Sequence, residues 1–516
     1  MRRLISGGWV SLLALSLLMP CPATADEPGP SSAASRRESA SKVGTLSPED
    51  VFDRLERAEA RIAELESGVA QPADKPSPIQ QTSFSLPSLG SLFVGHDPEI
   101  AIAREQAASS AMAPEPAKAE APKPKKWYDK LSIRGYAQFR INEEVFMENG
   151  SAPAQYVGDR SIGDSQSFLI RRARIIISGD VHERLYIYLQ PDFASTVPGS
   201  TDNTFYTQIR DWYGDFYLDE CKVNRLRIGQ SKVPYGWENL QSSSNRIPLD
   251  RHDAFNSAVR NERDLGVFYY WTPVWAQDFF KDVLEKGLKG SGNYGVFGLG
   301  VYNGQGGSLL EQNDNLHVVS RLTLPFELES GQYMEAGIQG YYGEYSVLSS
   351  AIKPLGVGPA AGIRPAGTVE AGELGGWKDE RIGASFIWYP QPFGFQSEWT
   401  WGRGPALNAA QTAIEETSLY GGYAMLLYKL DKHGTWFPFV RYSYFQGGYK
   451  SERNAPYSRN DEWEFGTEWQ INPAAELTLS YLITDRTNTT AFNTTGVTSY
   501  RQFDGQVLRL QFQMNY

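Results

Sequence analysis

The sequence predicts an all-β transmembrane barrel of about 16 antiparallel strands, preceded by a short coiled-coil helix and a disordered linker. Three observations predict it. The stretch from Leu508 to Tyr516 alternates strictly, with Leu508, Leu510, Phe512, Met514 and Tyr516 on one face and Arg509, Gln511, Gln513 and Asn515 on the other. A period of two marks a strand with one apolar and one polar face. Ending on an aromatic, it is expected to pair back onto the first strand, which removes the exposed edge. The N-terminus reads as an export signal. From Trp127 onward, short alternating segments are divided by turns of two sizes.

The export signal occupies residues 1–25. Arg2 and Arg3 form its charged end, Val10 to Met19 its short apolar core, and Ala23-Thr24-Ala25 its small-x-small cleavage site. Cleavage removes Cys21 and leaves Cys221 alone, so no intrachain disulfide is expected. No later segment reaches the ~20 apolar residues a spanning helix needs. Hydrophobic content is 41% and mean hydropathy −0.42, which suits a barrel whose every second strand residue is polar. A net charge of −11 argues against nucleic acid as a partner.

Residues 26–46, rich in Ser, Ala, Pro and charge, read as disordered. Residues 47–68 read as a coiled-coil helix. Ser47 suits the N-cap and Pro48 the first helical position. Val51, Leu55, Ala58, Ile62 and Leu65 follow at spacings of 4, 3, 4 and 3, and Gly68 ends the helix. Such a helix is too short to stand alone, and self-association is the expected way to bury its stripe, with packing on its own chain the alternative. Residues 69–126 read as a Pro/Ala-rich linker.

Residues 127–516 read as the barrel. In its first strand Ile133, Ala137, Phe139 and Ile141 oppose Arg134, Tyr136, Gln138 and Arg140. Similar segments recur to the chain end. Short connections carry Pro beside aromatics, as at Trp271-Thr272-Pro273, Leu324-Pro325-Phe326, Trp388 to Phe393 and Trp436-Phe437-Pro438. Long polar ones run over 146–166, 194–204, 231–263, 346–378, 403–416, 446–461 and 485–503. Short turns at one end, long loops at the other and aromatics at the lipid boundary are the barrel pattern. At roughly 24 residues per strand and connection, the stretch holds about 16 strands, wide enough for an aqueous channel.

Between Phe168 and Gly266 the chain reads Phe168-Leu169-Ile170-Arg171-Arg172-Ala173-Arg174, then Tyr188-Leu189-Gln190-Pro191-Asp192-Phe193 and Asp211-Trp212-Tyr213. Leu226-Arg227-Ile228-Gly229-Gln230-Ser231-Lys232-Val233-Pro234-Tyr235-Gly236 follows. These elements resemble the phosphate-selective porin O and P family of bacterial outer membranes. The resemblance implies a 16-stranded barrel in outer-membrane lipid, commonly a homotrimer, that passes small anions, phosphate among them, or other small hydrophilic solutes. The helix ahead of the barrel resembles that of porins tied to the periplasm or cell wall, so a structural tether through residues 47–68 is the rival reading.

Anion selection needs Arg and Lys at the narrowest point, and the planar guanidinium fork suits phosphate. By strand parity the pore-lining, anion-binding candidates are Arg134, Arg140, Arg172, Arg174, Arg225 and Arg227, with Arg509 lumenal on the last strand. Arg171 points to lipid unless a bulge turns it. Loop 231–263 is the expected constriction and adds Lys232, Arg246, Arg251, Arg260 and Arg263. Asp192, Asp211 and Asp215 are the expected balancing acids. The opposing expectations are that the arginines are ordinary solvated lumen residues and that the loop is extracellular. His96, His182, His252, His317 and His433 lack metal-ligand spacing, and no nucleophile elbow, phosphate loop or dinucleotide fingerprint appears. No cofactor, metal or enzymatic activity is expected.

Overall fold

Alternation of apolar and polar side chains, carried through sixteen strands, closes this chain into one antiparallel barrel. The computed structural model describes residues 126–516, apart from 160, 163–167, 196–205, 308, 355–361, 371–372, 491–495 and 498–499. The expected signal peptide, disordered segment, coiled-coil helix and all but the last residue of the linker lie outside the described residues.

The barrel strands are β1 (Ser132–Met147), β2 (Leu169–His182), β3 (Leu185–Ser195), β4 (Tyr206–Tyr217), β5 (Asn224–Lys232), β6 (Arg263–Trp271), β7 (Phe297–Tyr302) and β8 (His317–Glu327). They continue as β9 (Tyr333–Tyr345), β10 (Trp377–Trp388), β11 (Phe393–Leu407), β12 (Ile414–Tyr428), β13 (Thr435–Gly448), β14 (Tyr457–Asn472), β15 (Ala475–Asn488) and β16 (Arg501–Asn515). Each pairs with its chain neighbours, and β16 closes on β1 with Ala137 opposite Met514 and Arg140 opposite Gln511. Tyr516 locks the seam. Its amide donates to the Gly135 carbonyl at 3.0 Å and the Gly135 amide to its carbonyl at 2.6 Å. A side chain at Gly135 would run into the Tyr516 ring.

The apolar faces point outward and the polar faces inward. Leu508, Leu510 and Met514 are exposed, while Arg509, Gln511 and Gln513 are buried in the lumen. Outward aromatics form two girdles. Phe393, Tyr428 and Tyr516 mark the end that carries the short turns, joined by the stacked pair Trp436 and Trp469. Tyr342, Trp401, Tyr420 and Trp463 mark the other, the loop end. Phe393 and Trp401 lie eight residues apart on β11, about 26 Å of strand, which the ~40° strand tilt of such barrels reduces to roughly 20 Å of height, of the order of a ~25 Å apolar band. Outward charges such as Glu380, Arg403, Arg459 and Asp461 follow beyond the loop-end girdle.

Three expectations change. Trp271-Thr272-Pro273 opens a long connection carrying the helix α3 (Val274–Glu285), because Ala276, Phe279, Phe280 and Val283 recur at helical spacing and bury against Tyr333, Ile387 and Tyr389. Pro325 and Pro438 sit inside β8 and β13, near their turn ends, rather than between strands. The expected loops 403–416, 446–461 and 485–503 are shorter, since strand pairing runs up to Leu407, Gly448 and Asn488 and resumes at Ile414, Tyr457 and Arg501.

Candidate functional site

The connection between β5 and β6 folds into the lumen. It carries two single helical turns, α1 (Trp237–Leu240) and α2 (Asp253–Asn256). Gly236 turns the chain at φ 84°, where its missing Cβ makes room for the Phe255 ring. Tyr235, Trp237, Leu240, Ile247, Leu249 and Phe255 are all buried, a run of apolar anchors unlike a solvated extracellular loop.

Wall side chains hold the loop from all round. On β1, Tyr136 Oη lies 2.6 Å from Ser243 Oγ and Gln138 donates to the Ser243 carbonyl at 3.0 Å. Across the lumen, Glu398 of β11 accepts the Trp237 and Glu238 amides at 2.5 and 2.7 Å. A carboxylate thereby satisfies the free N–H groups at the start of α1. Arg381 of β10 donates to the Ala254 carbonyl at 2.9 Å, and Arg441 of β13 meets Glu238 at 3.0 Å.

A second inward element braces the first. The segment after α3 meets the loop through Gln241 Nε2 donating to the Lys289 carbonyl at 2.5 Å and Asn245 Nδ2 to the Gly290 carbonyl at 2.7 Å. Lys289 then pairs with Glu468 of β14, so the two connections meet inside the barrel from opposite ends.

Where the loop reaches β1, β2 and β16, four guanidiniums surround two carboxylates. Arg140 meets Asp159 at 2.5 Å and Asp250 at 2.8 Å. Arg171 lies 3.7 Å from each acid and Arg172 3.6 Å from Asp250. Arg509 meets Asp159 at 2.8 Å and also binds Asp250. Burial alone would push the Asp250 carboxyl up, but Arg140, Arg509 and Arg171 outweigh it and hold it well below the usual carboxylate range. Asp250 is therefore ionised at neutral pH, and the four guanidiniums outnumber the two carboxylates beside them among the described residues. A bulge puts Arg171 here: Gln138 pairs with Arg172 and Phe139 with Ile170, so Arg171 is the extra residue and turns inward.

The remaining candidates are placed as follows. Arg174 binds Asp192 at 2.7 Å and Ser243 at 3.0 Å. Arg227 forks onto Asp215 at 2.7 and 2.8 Å, with Arg225 at 3.5 Å from the same acid. Arg263 bridges Asp211 at 2.9 Å and Glu262 at 2.8 Å. The three expected balancing acids thus each carry a guanidinium. Arg251 meets Glu262 at 2.7 Å. Lys232 and Arg246 donate to loop carbonyls. Arg260, half-buried, and Arg134, exposed on the lumenal face near the turn end, have no carboxylate partner among the described residues. The cluster of four unites Arg140, Arg172 and Arg509 and leaves the other candidates elsewhere.

Asp159, Asp250 and the acids of the far wall went unnamed in the sequence reading. Glu462, Glu464 and Glu468 share one face of β14, alternating with Trp463, Phe465 and Trp469, so the same parity argument could have found them. Among the described residues no acidic, His or Cys group is arranged to hold a metal ion, and no helix is long and apolar enough to cross a membrane.

A family model described as phosphate-selective porin O and P matches residues 151–516. No curated protein matches the chain. Among solved structures it is similar to the outer membrane channel DcaP of Acinetobacter baumannii, with 11% identity, TM-score 0.45, and 75% of this chain and 97% of that chain covered. It is similar to Salmonella typhi OmpF at 13% identity, TM-score 0.45, covering 76% and 98%. An anion-selective porin from Comamonas acidovorans follows at 10% identity, TM-score 0.41, covering 75% and 99%.

Proposed function

The chain belongs to the phosphate-selective porin O and P family, and from that premise we propose an outer-membrane porin whose anion preference is set where the β5–β6 loop crosses the lumen. It is a channel for passive diffusion of small hydrophilic solutes. The preference for anions rests on one observation: among the described residues Arg140, Arg171, Arg172 and Arg509 share only Asp159 and Asp250. A site with more guanidinium than carboxylate offers a passing anion part of what its hydration shell supplied. Phosphate is the anion whose oxygens the forks suit.

The protein works as a homotrimer in the outer-membrane lipid, with its turn end and N-terminal segment toward the periplasm. Short turns on that side are the rule for such barrels. Single-channel conductance of the refolded protein, under a salt gradient with phosphate then added, tests the reading. Steady conductance, an anion-directed reversal potential and block by phosphate support it. Conductance without preference reduces it to a general porin, and a folded barrel without conductance overturns it.

A further inference from the structure

A second lumenal feature lies toward the turn end, away from the four-arginine cluster. Across β1 to β6, inward side chains form a row: Arg134, Tyr188, Tyr213, Arg227 and Tyr270. Tyr188 and Tyr213 stack with centroids 5.1 Å apart and planes 9° from parallel. Arg134 caps the outer face of Tyr188 at 6.0 Å, and Arg227 lies over Tyr213 at 3.8 Å and Tyr270 at 5.4 Å.

The faces of these rings are taken up by one another and by guanidiniums. What remains for the lumen are ring edges, which carry the positive end of the aromatic quadrupole, and guanidinium N–H groups. Both tyrosines keep part of their surface open. Among the described residues two donors nearby have no acceptor: Tyr270 Oη and Arg225 Nε are buried without a partner, and Tyr270 is 0% exposed. Arg225 and Arg227 share the one carboxylate of Asp215. The row thus holds more guanidinium than carboxylate, with Arg225 and Arg227 sharing Asp215 and Arg134 beside Tyr188.

We infer that this row is a transit subsite for aromatic carboxylates. The ligand's negative ring face meets the tyrosine edges in T-shaped contact, and its carboxylate is passed between Arg134 and the Arg225 and Arg227 pair. A saturated ring of the same charge has no negative face and gains only the charge. The inference rests on the channel reading above.

The test compares benzoate with cyclohexanecarboxylate as blockers of chloride current through the full-length protein in a planar bilayer. Benzoate is expected to interrupt the current at a several-fold lower concentration. Tyr188→Leu with Tyr213→Leu is expected to abolish that difference. Arg134→Gln, at an exposed position that folding tolerates, is expected to weaken both acids alike and keep their ratio. Equal potency of the two acids in the unaltered protein overturns the inference while leaving the channel reading intact, as does a preference that survives the double substitution. Absence of any chloride current from a folded barrel overturns the channel reading itself.

Discussion

Asp250 is bound by Arg140 and Arg509 and lies within 3.7 Å of Arg171 and Arg172. Its charge both fastens the loop and offsets the positive cluster. Asp250→Asn separates these roles. It leaves Asp159 as the one carboxylate of the cluster among the described residues, so the reversal potential under a salt gradient is expected to move further toward the anion. It also weakens charge-assisted hydrogen bonds worth about 1.5–3 kcal/mol each, so open-channel current becomes noisier. An unchanged reversal potential would show that the cluster does not govern selectivity. Gly236→Ala acts through shape instead. An L residue at φ 84° and ψ 124°, outside the left-handed helical region, costs on the order of 1–3 kcal/mol, and its Cβ meets the Phe255 ring. Loop cleavage by added protease is expected in the alanine variant and not in the unaltered protein.

At the scale of elements, the β5–β6 loop and the α3 connection make the lumen narrower than sixteen strands alone would leave it. Excising 239–256 is expected to raise single-channel conductance several-fold, whereas a loop lying outside the lumen would leave it near its starting value. Acid offers a gentler release. In the loop, His252 Nδ1 lies 2.6 Å from Glu238 and its Nε2 is buried without a partner among the described residues. Burial pushes the imidazole down from 6.5, and Glu238 pulls the other way without restoring it, with Arg441 adding to the downward push. A depressed value stabilises the docked loop fully above pH 6.5, and the contribution is lost as pH falls through the folded value. Current noise is expected to rise between about pH 6.5 and 5 in the native channel and to lose that step in His252→Gln. Much of this architecture was legible, because parity along β1, β5 and β16 depends only on near neighbours: Arg140, Arg227 and Arg509 faced inward as their apolar neighbours required. The direction of the loop was not, because it depends on acceptors far away in sequence, such as Glu398 for Trp237. Nor was the placement of Arg171, since one inserted residue reverses parity without leaving a mark on local composition.

For the whole molecule, the two ends of the barrel differ enough to carry a prediction of its direction in the membrane. Short turns and the Phe393, Tyr428 and Tyr516 girdle lie at one end, while charged outer residues such as Glu380, Arg403 and Asp461 rise past the girdle at the other. Aromatic girdles suit both interfaces, whereas a charged collar beyond one of them suits the outer leaflet and short turns suit the periplasmic side. Height varies round the circumference as well. β5 to β7 hold 9, 9 and 6 residues against 12 to 16 in β10 to β16. The low, apolar stretch is where a neighbouring barrel of the proposed homotrimer would pack while displacing the least lipid. Cys221 reports the direction of insertion, because it is a free, exposed thiol in the turn between β4 and β5, and signal cleavage would leave it as the one thiol of the mature chain. A polymer-coupled maleimide too large for the pore is expected to spare Cys221 on intact cells and to label it once the outer membrane is permeabilised. Labelling on intact cells would place the turns outside, and with them the α3 connection and the N-terminal segment, reversing the direction in which a solute meets the tyrosine row and the arginine cluster.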